Sequence, residues 1–146
     1  MSEKKIQASD LGIDLASRQE DAYFKWFLAC LLFGKPVQQE VARRTYEVFV
    51  KAGLVTPQAI LAAGWDRLVQ LLDEGHYTRY DFSTATKLLD VMQRLRDTSG
   101  SLRALLESCH SREELSIRLQ EFKGVGPKTA DIFLRNLPAS VLSVHG

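Results

Sequence analysis

The chain is poor in what marks a metal centre, a disulfide scaffold or a membrane protein. It has two cysteines in 146 residues, Cys30 and Cys109. They lie far apart and match no C-x-x-C spacing, so the sequence offers no metal site and no redox pair. They read as reduced thiols of an intracellular protein. A charge excess is lacking too, since 19 Lys and Arg oppose 18 Asp and Glu for a net +1. No global field therefore draws the chain toward nucleic acid or a membrane surface, and polyanion binding must come from a local arrangement of donors. The start, MSEKKIQASD, carries charge but no apolar core, and is not expected to be a secretory signal. The longest apolar run, about Tyr23 to Gly34, is too short to cross a bilayer. Strand-like alternation, internal repeats and low-complexity tracts are also missing.

What is present is helical patterning with clear punctuation, and 45% hydrophobic residues, enough for one domain with a core. Residues 1–16 read as a polar, poorly anchored lead-in, and 17–146 as the domain. Ser17-Arg18-Gln19-Glu20 has the form of a capping box opening a helix that runs to Phe33, with Gly34 as its stop. That helix is apolar on nearly every side (Phe24, Trp26, Phe27, Leu28, Leu31, Leu32), which predicts a central, buried position. Pro36 is expected at the first position of the next helix, whose stripe is Val37, Val41, Val48, Phe49 and Ala52. Thr56-Pro57 then opens a short helix to Ala63, and Gly64 separates it from another over about Asp66 to Asp73. Residues 75–80 form the clearest non-helical loop. Asp81 is expected to cap a long helix through Arg96, followed by a turn at 97–100 and a short helix from Leu102 to Cys109. Ser111-Arg112-Glu113-Glu114 is a second capping box. The pattern predicts an all-α domain of about eight helices.

The most specific stretch is 119–137, LQEFKGVGPKTADIFLRNL. A phosphate-binding P-loop needs Gly-Lys-Ser/Thr contiguous after a strand, but Pro127 separates Gly126 from Lys128 and a helix precedes. A dinucleotide fingerprint needs a third glycine and a βαβ setting, and neither is here. The helix-hairpin-helix pattern, by contrast, is filled at every fixed position by Leu119, Phe122, Gly124, Val125, Gly126, Ala130, Phe133 and Leu134. Its hairpin unit spans 111–137. Gly124 and Gly126 lack side chains, so their amides can approach a phosphate oxygen closely. The helix starting at Pro127 adds free N–H groups and a positive dipole end. Val125 plugs the turn into the core, while Lys123 and Lys128 add local charge. Such a device grips backbone phosphate without reading bases. The expected contact set is Lys123, Gly124, Val125, Gly126, Lys128 and Thr129. The loop residues His76, Tyr77, Arg79 and Tyr80 mix aromatic and basic groups and, with Lys35 beyond the first helix, form a second candidate DNA surface, though the tyrosines are expected rather to plug the gap between two helices.

The hairpin, with lysine two residues after the second glycine and then Thr-Ala, resembles that of the endonuclease III-like DNA glycosylases. The likeness extends more loosely to the buried opening helix, the string of short helices and the Gly-x-Tyr loop before a long helix. The resemblance implies base-excision repair on duplex DNA, with a damaged base flipped out and its glycosidic bond broken. In lyase-active members the hairpin lysine forms a Schiff base at the sugar C1′, and β-elimination follows. Lys128 stands at that position and is the expected nucleophile. A nucleophilic lysine must be neutral at working pH, which partial burial and the positive helix end are expected to favour here. Such members also use an aspartate further along, commonly in a Val-Asp pair; here Val144-His145-Gly146 occupies that region. Many relatives carry Leu-Leu-Ser-Ala-Gln after the buried helix, where this chain has Leu31-Leu32-Phe33-Gly34-Lys35-Pro36.

The expected partner is thus double-stranded DNA, damaged or abasic, with no membrane contact, bound by a monomer needing no cofactor. A non-catalytic, sequence-independent DNA-binding module is the alternative, and a helical interaction domain without DNA binding is a third.

Overall fold

The helix Glu20–Phe33 decides the arrangement, because Tyr23, Phe24 and Trp26 through Phe33 are all buried. A helix apolar all round must be surrounded. The computed structural model describes residues 5–143, and among them this helix, α1, is the first of eight α-helices. The others are α2 (Gln39–Lys51), α3 (Pro57–Glu74), α4 (Asp81–Asp97), α5 (Leu102–Ser108), α6 (Arg112–Gln120), α7 (Pro127–Asn136) and α8 (Ser140–Ser143). No strand occurs among the described residues, and the fold is all-α. Helices α2, α5 and α7 pack directly on α1, α6 pairs with α7, and α3 lies along α4. No described helix is long and apolar enough to cross a membrane.

Aromatic packing ties the hairpin to α1. The Phe27 ring meets Phe122 at 6.0 Å and Phe133 edge-on at 5.9 Å between centroids. The Trp26 indole N–H donates to the Phe133 carbonyl at 3.3 Å. Burying each such ring is worth about 1.5–3 kcal/mol, so the turn between α6 and α7 is held from both sides. Arg112 adds a hydrogen bond to the Leu134 carbonyl, joining the start of α6 to α7.

Several helix boundaries follow the local signals. Thr56 caps α3 by accepting from the Ala59 N–H at 3.0 Å, with Pro57 first in the helix. Gly64 breaks α3 at φ 82°, ψ 168°, so the two expected short helices are two halves of one element. Ser111 caps α6 by accepting from the Glu114 N–H at 3.0 Å, and Glu114 reaches back one residue further than expected, to the His110 N–H at 2.7 Å.

Other boundaries differ, because tertiary partners outbid local ones. The N-terminal cap of α1 is Gln19, without a side-chain bond, and Ser17 closes a preceding 3-10 turn. Glu20 instead accepts from the Leu102 and Arg103 N–H groups at 3.1 and 2.7 Å, so it caps α5 across the fold. Pro36 does not open α2, which starts at Gln39 after a turn in which the Val37 N–H meets the Lys35 carbonyl at 2.8 Å. Asp81 is the first residue of α4 rather than its cap, behind a 3-10 turn at Thr78–Tyr80.

The lead-in is anchored from residue 5 onward, not loose. Ile6 N–H donates to Gln39 Oε1 and Ala8 N–H to Asn136 Oδ1, both at 2.9 Å. Ala8, Ile13 and Leu15 are buried. The short helix α8 was not foreseen, and Val144, His145 and Gly146 lie outside the described residues.

Candidate nucleic-acid interface

The turn between α6 and α7 uses its two glycines differently. Gly124 sits at φ +93°, a left-handed conformation that side chains disfavour. A Cβ there would also lie 2.8 Å from Lys87 Cγ and 2.9 Å from Lys87 Cδ. Gly124 is therefore required by the fold itself. Gly126 has φ −102° and ψ −173°, extended backbone open to any residue. A Cβ there would meet nothing within 4 Å. The protein gives no steric reason for glycine at 126. The space in front of it is free for something else.

The donors around that space are also free. Val125 is buried, and its N–H is taken by the Phe122 carbonyl at 3.0 Å. No side chain caps α7 at Gly126, and the first bond into the helix is Ala130 N–H to Gly126 C=O at 3.1 Å. Among the described residues, the amides of Gly126, Lys128 and Thr129 meet no protein acceptor. They sit at the positive end of a ten-residue helix. Lys123 and Lys128 are exposed on either side. Lys128 thus lacks the partial burial expected of it.

The second wall is built by the end of α1. The Tyr77 hydroxyl donates to the Leu32 carbonyl, and Lys87 Nζ donates to the Leu31 carbonyl at 2.9 Å. Both satisfy acceptors that a helix end leaves open, and a cation there complements the dipole. Gly34, just beyond, packs so closely on α7 that a side chain would run into the Thr129 hydroxyl. Thr129 is buried, so its side chain serves this contact and only its amide faces outward. Lys35 and Arg79 both hold their charges 5.4 Å from the Tyr80 ring centroid. The structure thus brings Lys35, Arg79 and Tyr80 together. Tyr77 does not join them, because its ring is buried and its hydroxyl proton is held firmly by burial. His76 is exposed at φ 66°.

Lys128 also lines a cleft of about 230 Å³ between α7, the end of α1 and the N-terminal segment. Phe33, Gln39, Asp131 and Arg135 share it. Asp131 is paired with Arg135 at 3.2 Å. The acid nearest in sequence to Lys128 on its own helix is therefore already engaged.

No protein-family model, curated protein or solved structure matches the chain. The functional reading rests on residues and geometry. Among the described residues no group of three or more His, Cys, Asp or Glu could hold a metal ion. Arg43, on α2, is engaged by Glu40 and Glu47 at 3.3 and 3.5 Å.

One residue beneath this surface escaped the sequence reading. Lys87 carried a signal that was available: a lone cation three residues after buried Thr84 and four before buried Val91, inside the inward stripe of α4. Burial lowers its pKa from 10.5 to about 8, and the charge of Lys35 pushes the same way.

Proposed function

We propose that this domain binds duplex DNA through the α6–α7 hairpin and acts in base-excision repair, as a DNA glycosylase or abasic-site lyase of the endonuclease III-like type. The observation that carries the reading is Gly126, a glycine that neither backbone angle nor packing requires, beside three unpartnered amides at a helix start. That arrangement suits a phosphate oxygen approaching the backbone. Lys35, Arg79 and the Tyr80 ring extend the footprint with charge and a stacking face. Lys128 is the Schiff-base nucleophile of the proposal: it is exposed on the first turn of α7 and lines a cleft that Phe33 shares.

Two measurements test the two halves. Gly126→Leu should keep the fold and weaken binding to all duplex sequences alike, with a shallower dependence on salt. Unchanged affinity would remove the phosphate grip. Borohydride trapping on a duplex with an abasic site should give a covalent adduct with the wild type and none with Lys128→Ala. Binding without any adduct would leave the non-catalytic DNA-binding module as the function.

A further inference from the structure

Among the described residues Lys87 is the one buried charged side chain. It is 9% exposed, with its stem against Gly124 and its ammonium two bonds further on, bonded to the Leu31 carbonyl at 2.9 Å. It makes no ion pair among the described residues. The titratable groups on the elements around it include Lys35 after α1, Asp73 and Glu74 on α3, Tyr77 and Tyr80 before α4, and Lys123 on the hairpin; the one whose charge acts on it is Lys35, a repulsive neighbour. The Leu31 carbonyl and the dipole of α1 offset part of the cost of burying this cation, but no carboxylate does. A methionine would fill the same space beside Gly124.

We propose that Lys87 is the buried counter-charge of the hairpin's anion site, so that a phosphodiester held at Gly126 supplies the opposite charge that this cation lacks in the free protein. The inference rests on the hairpin reading and deepens it. Lys87 acts from beneath the turn: it holds Gly124 in place by packing and meets the anion's charge through the thin glycine backbone. Because the free ammonium is partly deprotonated near pH 8, an incoming phosphate pulls a proton onto it. Binding should therefore take up protons and weaken as pH rises.

The test is titration calorimetry of the full chain with a short DNA duplex at low salt, near pH 8, in two buffers of different ionisation enthalpy. The wild type should take up a fraction of a proton per duplex bound, and its affinity should fall about tenfold from pH 7 to pH 9. Lys87→Met should bind more weakly, with neither the uptake nor the pH dependence, while it still unfolds cooperatively, at a temperature somewhat below the wild type because the Leu31 carbonyl loses its donor. Wild-type binding without proton uptake would overturn the proposal, as would uptake that persists in Lys87→Met, which would place the proton elsewhere. In both cases the phosphate grip would stand. If the wild type binds no duplex even at low salt, the hairpin reading itself falls, and the role of Lys87 with it.

Discussion

Two glycine-bearing loops flank the end of α1, and the fold uses them in opposite ways. The loop before α4 is consumed by packing. Gly75 lies so close to α2 that a Cβ would come within 2.7 Å of Thr45 Cα, and Tyr77 is sunk into the core to meet the Leu32 carbonyl. At its foot the carboxyl of Asp73 is hydrogen-bonded to Asp81, which holds Asp73 above the usual carboxylate range. The hairpin turn buries only Val125 and leaves the Gly126, Lys128 and Thr129 amides with no protein acceptor. An aromatic in a loop is thus an ambiguous marker, since Tyr77 is core while Tyr80 faces Lys35 and Arg79, whereas a glycine with no structural need for being glycine is a better one.

The comparison can be broken at four places. The largest effect is expected at Tyr77, where truncation to alanine removes a buried ring and strands a carbonyl. A loss of about 3–5 kcal/mol in urea unfolding is expected, with DNA affinity of the folded fraction retained. A loss below 1 kcal/mol would return Tyr77 to the surface. Gly124→Ala comes next, at about 1–3 kcal/mol, because it combines a left-handed φ with contact against the Lys87 stem. Equal stability for the alanine and wild-type proteins would mean that the turn is laxer than its angles imply.

The pH dependence of stability is smaller and has a sign. The pKa of Lys87 is lower folded, about 8, than unfolded, near 10.5, so the unfolded chain holds more protons between those values and stability rises with pH there. The slope is at most about 1.4 kcal/mol per pH unit. Cys30 works the other way, since burial raises its thiol well above 9.0 and stability falls once unfolded thiols ionise. Tyr46, raised from 10.0 to about 12, adds to that decline at higher pH. Urea unfolding across pH 7 to 11 should therefore show a maximum near pH 9, and Lys87→Met should lose the rising limb. A monotonic fall in the wild type would remove Lys87 from the account. The smallest stability effect belongs to Gly126→Leu, within about 0.5 kcal/mol. A large one would make that glycine structural and erase the contrast between the two loops.

Much of the chain's local structure was legible in order. Thr56, Ser111 and Pro127 mark the helix starts where they fall, and the α1 run announces its burial, because caps and stripes act within a turn or two of the backbone. The hairpin was read residue by residue for the same reason. Legibility failed where a side chain had a choice of partners. Glu20 was expected to serve its own helix and serves α5, and the lead-in looked loose although Asn136 holds it.

The sequence by itself determined an all-helical chain, its main breaks and a glycine turn between two helices, since each rests on contacts between near neighbours. Only the tertiary structure decided that Tyr77 and not Tyr80 fills the core, that Lys128 is exposed, that Gly126 is free while Gly124 is not, and that Lys87 lies beneath the turn. The physical reason is distance along the chain. The Lys87 and Ala8 hydrogen bonds join residues 56 and 128 positions apart, and no local pattern specifies which distant group will be there to meet them.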